Sequence, residues 1–489
     1  MAPVLAAACA GPSDPPASFR FTRVVGGDLA ADTSSSPSAS WIDIDADGDE
    51  DLYVLNGYAT LAPERGPQRN VFYRNDEGVL IALADHPLVA DDAFSGSGVW
   101  GDYDNDGDAD LFVANQRGPN FLFRADGGGA FTRVTDGPVA TDGGRSFTAA
   151  WVDIDRDGDL DLHVPNGWSG GGVDFLYRND GDGAFTRLVD LPLVMDSLPS
   201  GGPAWGDYDG DGDPDLFLPF YSDHANRLYR NDGEWAFAEV AADVGLSVDP
   251  LPASPRASVA HWVDYDDDGD LDLFVGNTMG RMDFLYRNQG GRFERVTAGR
   301  LGLDGTYVSD AIWVDLDNDA DRDLVLAVWG AASEIYRNDG RGGLFPAGAV
   351  VFASSVSASD IDRDGDLDLF LTQWPINEAG GAPNLLFRNE GPTGNWLDVT
   401  LEGTASNRSA IGATIFVTAE VGGVARRQRR DVVSRTSWRS ANGPTRHFGL
   451  GNAAEVDRIE VVWPSGAADT LVGPIRANRR VTVVEGAAQ

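Results

Sequence analysis

The chain has 489 residues, 37 basic against 77 acidic, for a formal charge of −40. That length suits two domains or one large one, and an apolar content of 42% is not that of a disordered chain. The acidity argues against a nucleic-acid or anionic-membrane partner. The single Cys excludes internal disulfides and Cys-based zinc sites, and no apolar run reaches the ~18 residues of a membrane span.

Residues 1–17 read as a leader or a disordered tail. Leu5-Ala6-Ala7-Ala8-Cys9 resembles the end of a bacterial lipoprotein signal, with Cys9 as a lipid-anchor position, but a basic segment before it is missing. Ser18–Val24 is strand-like and precedes the first repeat.

From there one pattern, D-x-D-x-D-G-D-x-D-L, recurs seven times, beginning at Asp43, Asp102, Asp153, Asp207, Asp264, Asp315 and Asp360. Six copies carry Trp two residues upstream (Trp41, Trp100, Trp151, Trp205, Trp262, Trp313), and the seventh has Ala358. A second element, roughly N/D-x-L-Y/F-R-N-D/E-G, follows each copy, with its Arg at positions 74, 124, 178, 230, 287, 337 and 388. A third, such as Phe131-Thr132-Arg133-Val134, usually comes next. The segments are rich in aromatic and β-branched residues, and Asn-Asp-Gly is a hairpin-turn signal. Each repeat therefore predicts four antiparallel strands, the composition of a propeller blade. The seventh repeat lacks its fourth strand, and Ser18–Val24 is expected to supply it and close the ring.

The fold expected is all-β: a seven-bladed β-propeller over residues 18–392, followed by a small C-terminal β-sandwich-like domain over residues 393–489. In the second unit Val399–Leu401, Ala413–Val417, Val456–Trp463 and Val481–Val484 read as strands. Residues 401–489 carry a formal charge of +4, which leaves −44 on the rest. Arg426-Arg427-Gln428-Arg429-Arg430 is the sharpest basic patch. It reads either as a dock for an acidic ring, its own or a neighbour's, or as a solvated hairpin face.

A nine-residue loop with Asp at positions one, three, five, seven and nine turns several carboxylate oxygens toward one point, which suits Ca²⁺. The candidate ligands are Asp43, Asp45, Asp47, Asp49 and Asp51; Asp102, Asp104, Asp106, Asp108 and Asp110; Asp153, Asp155, Asp157, Asp159 and Asp161; Asp207, Asp209, Asp211, Asp213 and Asp215; Asp264, Asp266, Asp268, Asp270 and Asp272; Asp315, Asp317, Asp319, Asp321 and Asp323; Asp360, Asp362, Asp364, Asp366 and Asp368. Positions one, three, five and nine are expected to ligate through side chains, and position seven through its carbonyl. Gly at position six permits the sharp turn. Loop six has Ala320 there, which predicts weaker binding or a distorted turn. Up to seven Ca²⁺ are expected, in a structural role. The loops are not EF-hands: position twelve of the first copy is Val54, and the flanks are strands.

These repeats resemble the FG-GAP/VCBS repeats of calcium-binding propellers, over roughly residues 18–392. The tail resembles the ASPIC/UnbV domain through Asn407–Ala413, His447–Gly451 and Val461–Gly466. Together they resemble the cartilage acidic protein family. The resemblance implies secretion, calcium binding and adhesive or scaffolding roles, and implies no catalytic residue.

The loops on the face opposite the Asp loops carry Tyr58, Trp168, Tyr221, Trp329 and Trp374, with Arg117, His224 and Met279 nearby. They offer a platform for a protein or glycan, or ordinary packing. No spacing among the five His suggests a zinc site. Gly167–Gly171 matches G-x-S-x-G but not at a strand-to-helix elbow. The function expected is an extracytoplasmic adhesion, scaffold or ligand-binding module, secreted or lipid-anchored. The alternative is a calcium-dependent enzyme on a polysaccharide or small molecule, with His224 and Arg117 as candidates.

Overall fold

The computed structural model describes residues 19–57, 66–167, 171–181, 183–222, 224–246, 256–279, 281–297, 307–373, 383–391 and 394–487. Each Asp motif folds as a turn between two paired strands. In the first repeat Ser38–Ile42 pairs with Asp51–Leu55, placing Trp41 opposite Leu52. Val71–Asp76 and Val79–Ala82 complete a four-stranded antiparallel sheet. Among the described residues seven such sheets form, one for each Asp loop. The first two strands of the first repeat are buried throughout, whereas the fourth is half exposed. Inner strands lie between neighbouring sheets, so both of their faces need apolar cover; outer strands meet solvent.

The seventh sheet takes its outer strand from the start of the chain. Phe21–Arg23 pairs with Leu385–Asn389, with Thr22 opposite Arg388. This covers an edge that would otherwise present unpaired N–H and C=O groups.

Two recurring side chains join neighbouring sheets, although Ala358 replaces the Trp in repeat seven, Ala125 replaces the Asn in repeat two, and the Trp313 indole has no hydrogen-bond partner. The Trp41 indole donates to Ser357 Oγ of the seventh repeat (3.0 Å), Trp100 to Ser40 Oγ of the first (3.0 Å), and Trp262 to the Ala204 carbonyl (3.1 Å). The Asn of the Tyr-Arg-Asn element does the same. Asn75 Nδ2 donates to the Ile361 carbonyl (2.9 Å), Asn179 to Tyr103 (2.7 Å), Asn231 to Ile154 (3.1 Å), Asn288 to Tyr208 (2.8 Å), Asn338 to Tyr265 (2.7 Å) and Asn389 to Leu316 (2.7 Å). These Asn residues read in sequence as turn formers. In the fold they are buried ties between sheets, each worth about 1 kcal/mol.

The tail forms two further sheets. Arg446–Gly451 and Arg479–Val484 flank Asn395–Glu402, the second pair parallel. Val424–Asp431, Thr414–Val421, Glu455–Val462 and Ala468–Arg476 form the other. Three of these strands, Val424–Asp431, Arg446–Gly451 and Ala468–Arg476, were not among the segments read as strands from the sequence. The first and third are rich in Arg or broken by Gly and Pro, so their apolar alternation is weak. Leu397, Val399, Ile415, Phe448 and Ile459 share one buried cluster with Val99, Trp151 and Leu162 of the ring, so the core runs through the junction.

Candidate metal centres on the ring face

Each Asp loop is wired by its own backbone. In loop one, Asp51 accepts from the N–H groups of Ile44 (3.1 Å) and Asn75 (2.8 Å), which anchors the ninth position to the following strand. Asp43 accepts from Gly48 N–H (3.0 Å), and Asp47 from Asp49 N–H (2.9 Å). These bonds leave particular oxygens turned inward. Carboxylate oxygens of Asp43, Asp45 and Asp51 come within 4.8 Å of one another, as do those of Asp102, Asp104 and Asp110; Asp153, Asp155 and Asp157; Asp207, Asp209 and Asp215; and Asp264, Asp266 and Asp272.

The fit to a hard cation rests on unmet oxygens. Asp43 Oδ1, Asp104 Oδ1, both oxygens of Asp153, Asp155 Oδ1, Asp264 Oδ1, Asp266 Oδ1 and Asp317 Oδ1 are buried with no hydrogen-bond partner. A buried carboxylate oxygen without a donor is costly. A cation with six to eight oxygen ligands would satisfy it. Burial drives the carboxyls up, to about 7 for Asp51 and about 8 for Asp110, Asp272 and Asp368, with backbone N–H groups opposing and neighbouring Asp charges reinforcing the shift.

The seventh-position side chains point elsewhere. Asp159 Oδ1 accepts from Asn105 Nδ2 (2.8 Å), Asp213 pairs with Arg156 (3.3 Å), Asp366 Oδ1 accepts from Asn318 Nδ2 (2.9 Å), and Asp49 pairs with Arg363. The partners are the fourth residues of the preceding loops, held in the left-handed region at φ 57° for Asn105, 59° for Arg156, 56° for Asn318 and 59° for Arg363. The fourth position was not singled out from the sequence, because its residue type varies. Its signal is the recurrence of Asn and Arg opposite a fixed Asp. Ala320 takes φ 84°, close to the 94° of Gly48 at the same position, so loop six keeps its turn and carries the strain.

The Arg of the second element has two wirings. Arg124, Arg178 and Arg230 pair with the Asp two residues on, Asp126, Asp180 and Asp232 (2.7, 2.6 and 2.7 Å). Arg287, Arg337 and Arg388 turn into their Asp loops instead. Arg287 reaches Asp266 (2.8 Å) and Asp268 (3.2 Å), Arg337 reaches Asp317 (2.8 Å) and Asp319 (2.7 Å), and Arg388 reaches Asp362 (3.3 Å).

The tail sits on this same face. Arg426 pairs with Asp267 (3.3 Å) and Asp321, Arg429 donates to the Gly269 carbonyl (2.9 Å), and Arg480 to that of Gly48 (3.0 Å). The basic patch thus docks on its own ring. The segment between Asp431 and Arg446 runs into the centre of the ring. Ser434 bonds Trp151 N (2.9 Å), Ser440 Oγ accepts from Ala39 N (3.1 Å), and Asp310 accepts from Trp438 N (2.8 Å) and Ser437 Oγ (2.9 Å).

On the opposite face the Tyr221 and Tyr307 hydroxyls meet at 2.6 Å, and Trp329 lies 5.5 Å from the Tyr307 ring. Arg117 covers the Phe94 ring at 5.1 Å, and His224 Nδ1 bonds Ser222 Oγ (2.9 Å). Tyr58, Trp168 and Trp374, like Cys9, lie outside the described residues.

An FG-GAP-like repeat profile matches residues 43–113, 102–164, 167–218, 207–275 and 264–326, more than half of the chain. The chain belongs to the FG-GAP-like repeat family. Beyond the FG-GAP repeats, residues 403–489 match the ASPIC and UnbV profile. Cartilage acidic protein 1 of Homo sapiens is 26% identical over 449 residues, covering 87% of this chain and 59% of that protein. The Xenopus tropicalis protein of the same name is 27% identical over 300 residues, covering 60% of this chain and 38% of that one. The chain therefore spans less than two thirds of either relative. Among solved structures, an Agrocybe aegerita lectin that recognises non-reducing terminal N-acetylglucosamine is similar over 69% of this chain and 81% of its own, at 18% identity and a TM-score of 0.42. YCF48 bound to D1 peptide is similar over 79% of this chain and 99% of its own, at 11% identity and a TM-score of 0.44. No helix among the described residues is long and apolar enough to cross a membrane.

Proposed function

We propose that the chain is a calcium-stabilised, seven-bladed FG-GAP propeller that works outside the cytoplasm as a non-catalytic binding or scaffold module for a protein or glycan. The observation that carries the calcium reading is the set of buried, unpartnered carboxylate oxygens at positions one and three of the loops. Asp at positions one, three, five and nine would hold the ion. Bound Ca²⁺ neutralises carboxylates that otherwise repel one another, so it stabilises the folded ring by mass action. Loops of this kind in extracellular modules bind on the order of 10⁻⁴–10⁻³ M, which suits a calcium-rich compartment.

The test is retention of the full chain on immobilised polysaccharides and matrix proteins, in millimolar Ca²⁺ and in EDTA, with soluble products recorded together. Calcium-dependent retention without products is expected. Released products would replace the scaffold reading with a calcium-dependent enzyme.

A further inference from the structure

A cavity of about 490 Å³ lies between the Asp-loop face and the tail. That size is within the ~300–1,000 Å³ of small-molecule sites. It reaches the solvent-exposed segment Gly210–Gly212 of loop four and Gly466 of the tail, and it extends inward to the inner strands. Its inner wall is apolar and aromatic, from Ala204, Ala260, Trp205, Trp262 and Trp313.

Two guanidinium groups stand out on this wall. Arg322 follows Asp321 in loop six, and Arg435 lies on the segment that enters the ring centre. Both lie deep in the molecule yet keep accessible surface, as a side chain on the wall of a cavity does. Neither pairs with a carboxylate among the described residues. Arg322 Nη2 donates to the Asp264 carbonyl (3.2 Å), and its Nε has no partner. Arg435 donates to the carbonyls of Ser437 (2.6 Å) and Pro203, and its Nε also has no partner. Both guanidinium groups stay charged at neutral pH, and a buried cation calls for an anion.

The acids on the wall are engaged otherwise. Asp153, Asp207, Asp315 and Asp360 are first-position residues of Asp loops and Asp211 is a fifth-position one, so calcium would neutralise them. Asp398 pairs with His447 (2.9 Å), and Asp431 pairs with Arg429 (2.9 Å). Glu50 accepts from Ser359 Oγ (2.7 Å).

We propose that this cavity binds a small organic oxyanion, a carboxylate or phosphate on a ring-bearing body, with Arg322 and Arg435 on the head group and the Trp wall on the body. Guanidinium forks suit both head groups. The charge balance, though not the cavity itself, rests on the calcium reading.

The test is calorimetry on the full chain in millimolar Ca²⁺ with 2-naphthoate and 2-naphthyl phosphate, and with neutral 2-naphthamide as the control. One site per chain is expected for an anion, with the amide at least tenfold weaker. R322Q and R435Q should each weaken the anion at least tenfold, while R427Q on the tail surface should not. If R435Q fails to fold because its carbonyl contacts are lost, R322Q carries the test. Absence of binding by both anions, equal binding of the amide, or parental affinity in R322Q would overturn the proposal. Anion binding in a protein whose melting ignores calcium would support the cavity and overturn the calcium reading alone. Calcium-raised melting without anion binding would overturn the cavity alone.

Discussion

The Arg363 guanidinium lies against the Asp49 carboxylate, so the last Asp loop in the chain is tied to the first. The same seam carries the Asn75–Ile361 bond, and nearby Phe21–Arg23 pairs with Leu385–Asn389. Arg363 is 47% exposed but Asp49 only 4%, so R363A leaves a buried carboxylate oxygen without its cation, although Asp49 keeps the Glu77 N–H at 3.1 Å. R363A should cost about 1–2 kcal/mol. Deleting residues 18–25 should abolish the cooperative melt, because it uncovers an edge and an apolar face together. Calorimetric melts of both variants check this ordering. An unchanged melt after the deletion contradicts the closure.

Ala320 carries left-handed strain where the other six loops have Gly. A320G should therefore stabilise the protein by about 1–2 kcal/mol. The check is the urea midpoint in saturating calcium; a lower midpoint would show that packing of the buried methyl outweighs the strain.

Much of this was legible in the sequence, for a physical reason. Seven copies of the Asp motif, each followed by an aromatic-Arg element (Tyr-Arg-Asn in five of them), impose the same strands seven times, so one reading serves every sheet. The Arg426–Arg430 patch reads either as a dock for the acidic ring or as a solvated hairpin face, and only the contacts of Arg426 and Arg429 decide between them. What stayed hidden depends on contacts between sheets. Asn105 and Arg156 gain meaning only when loops lie side by side. Ser434, Ser437 and Trp438 belong to no repeat, so nothing in their spacing places them in the ring centre. Arg322 reads as one more surface charge until the tail covers it.

Calcium should bind in two classes. Arg287, Arg337 and Arg388 occupy carboxylates of loops five, six and seven, and a guanidinium there competes with the ion. In repeats two, three and four the equivalent Arg is held away by Asp126, Asp180 and Asp232. A calcium titration by calorimetry should need two affinities, and R287M with R337M should move sites into the tighter class. A single affinity, unmoved by these substitutions, would count against the competition.

Glu485 gives the tail a pH dependence of its own. Burial opposes its charge, but the Ser406 N–H (2.8 Å) and Ser465 Oγ (2.6 Å), with the N–H groups of Thr404 and Ala405 (2.8 Å each), pull its pKa to about 2 from 4.5. A carboxyl held low contributes stability that is complete above about pH 4.5 and is lost as pH falls toward 2. The shift corresponds to roughly 3 kcal/mol at neutral pH. E485Q should lower the tail's stability at pH 7 and flatten its loss between pH 4.5 and 2, read by urea unfolding. A profile identical to the parent would contradict this.

As proposed above, the Asp loops are cation sites built into the fold. The most direct measurement is the melting temperature of the full chain in EDTA, in millimolar Mg²⁺ and in millimolar Ca²⁺, with bound metal counted after dialysis. A large rise with Ca²⁺ is expected, with a smaller one for Mg²⁺, which demands tighter octahedral geometry, and several Ca²⁺ retained per chain. Equal melting in all three conditions with no retained metal would contradict it.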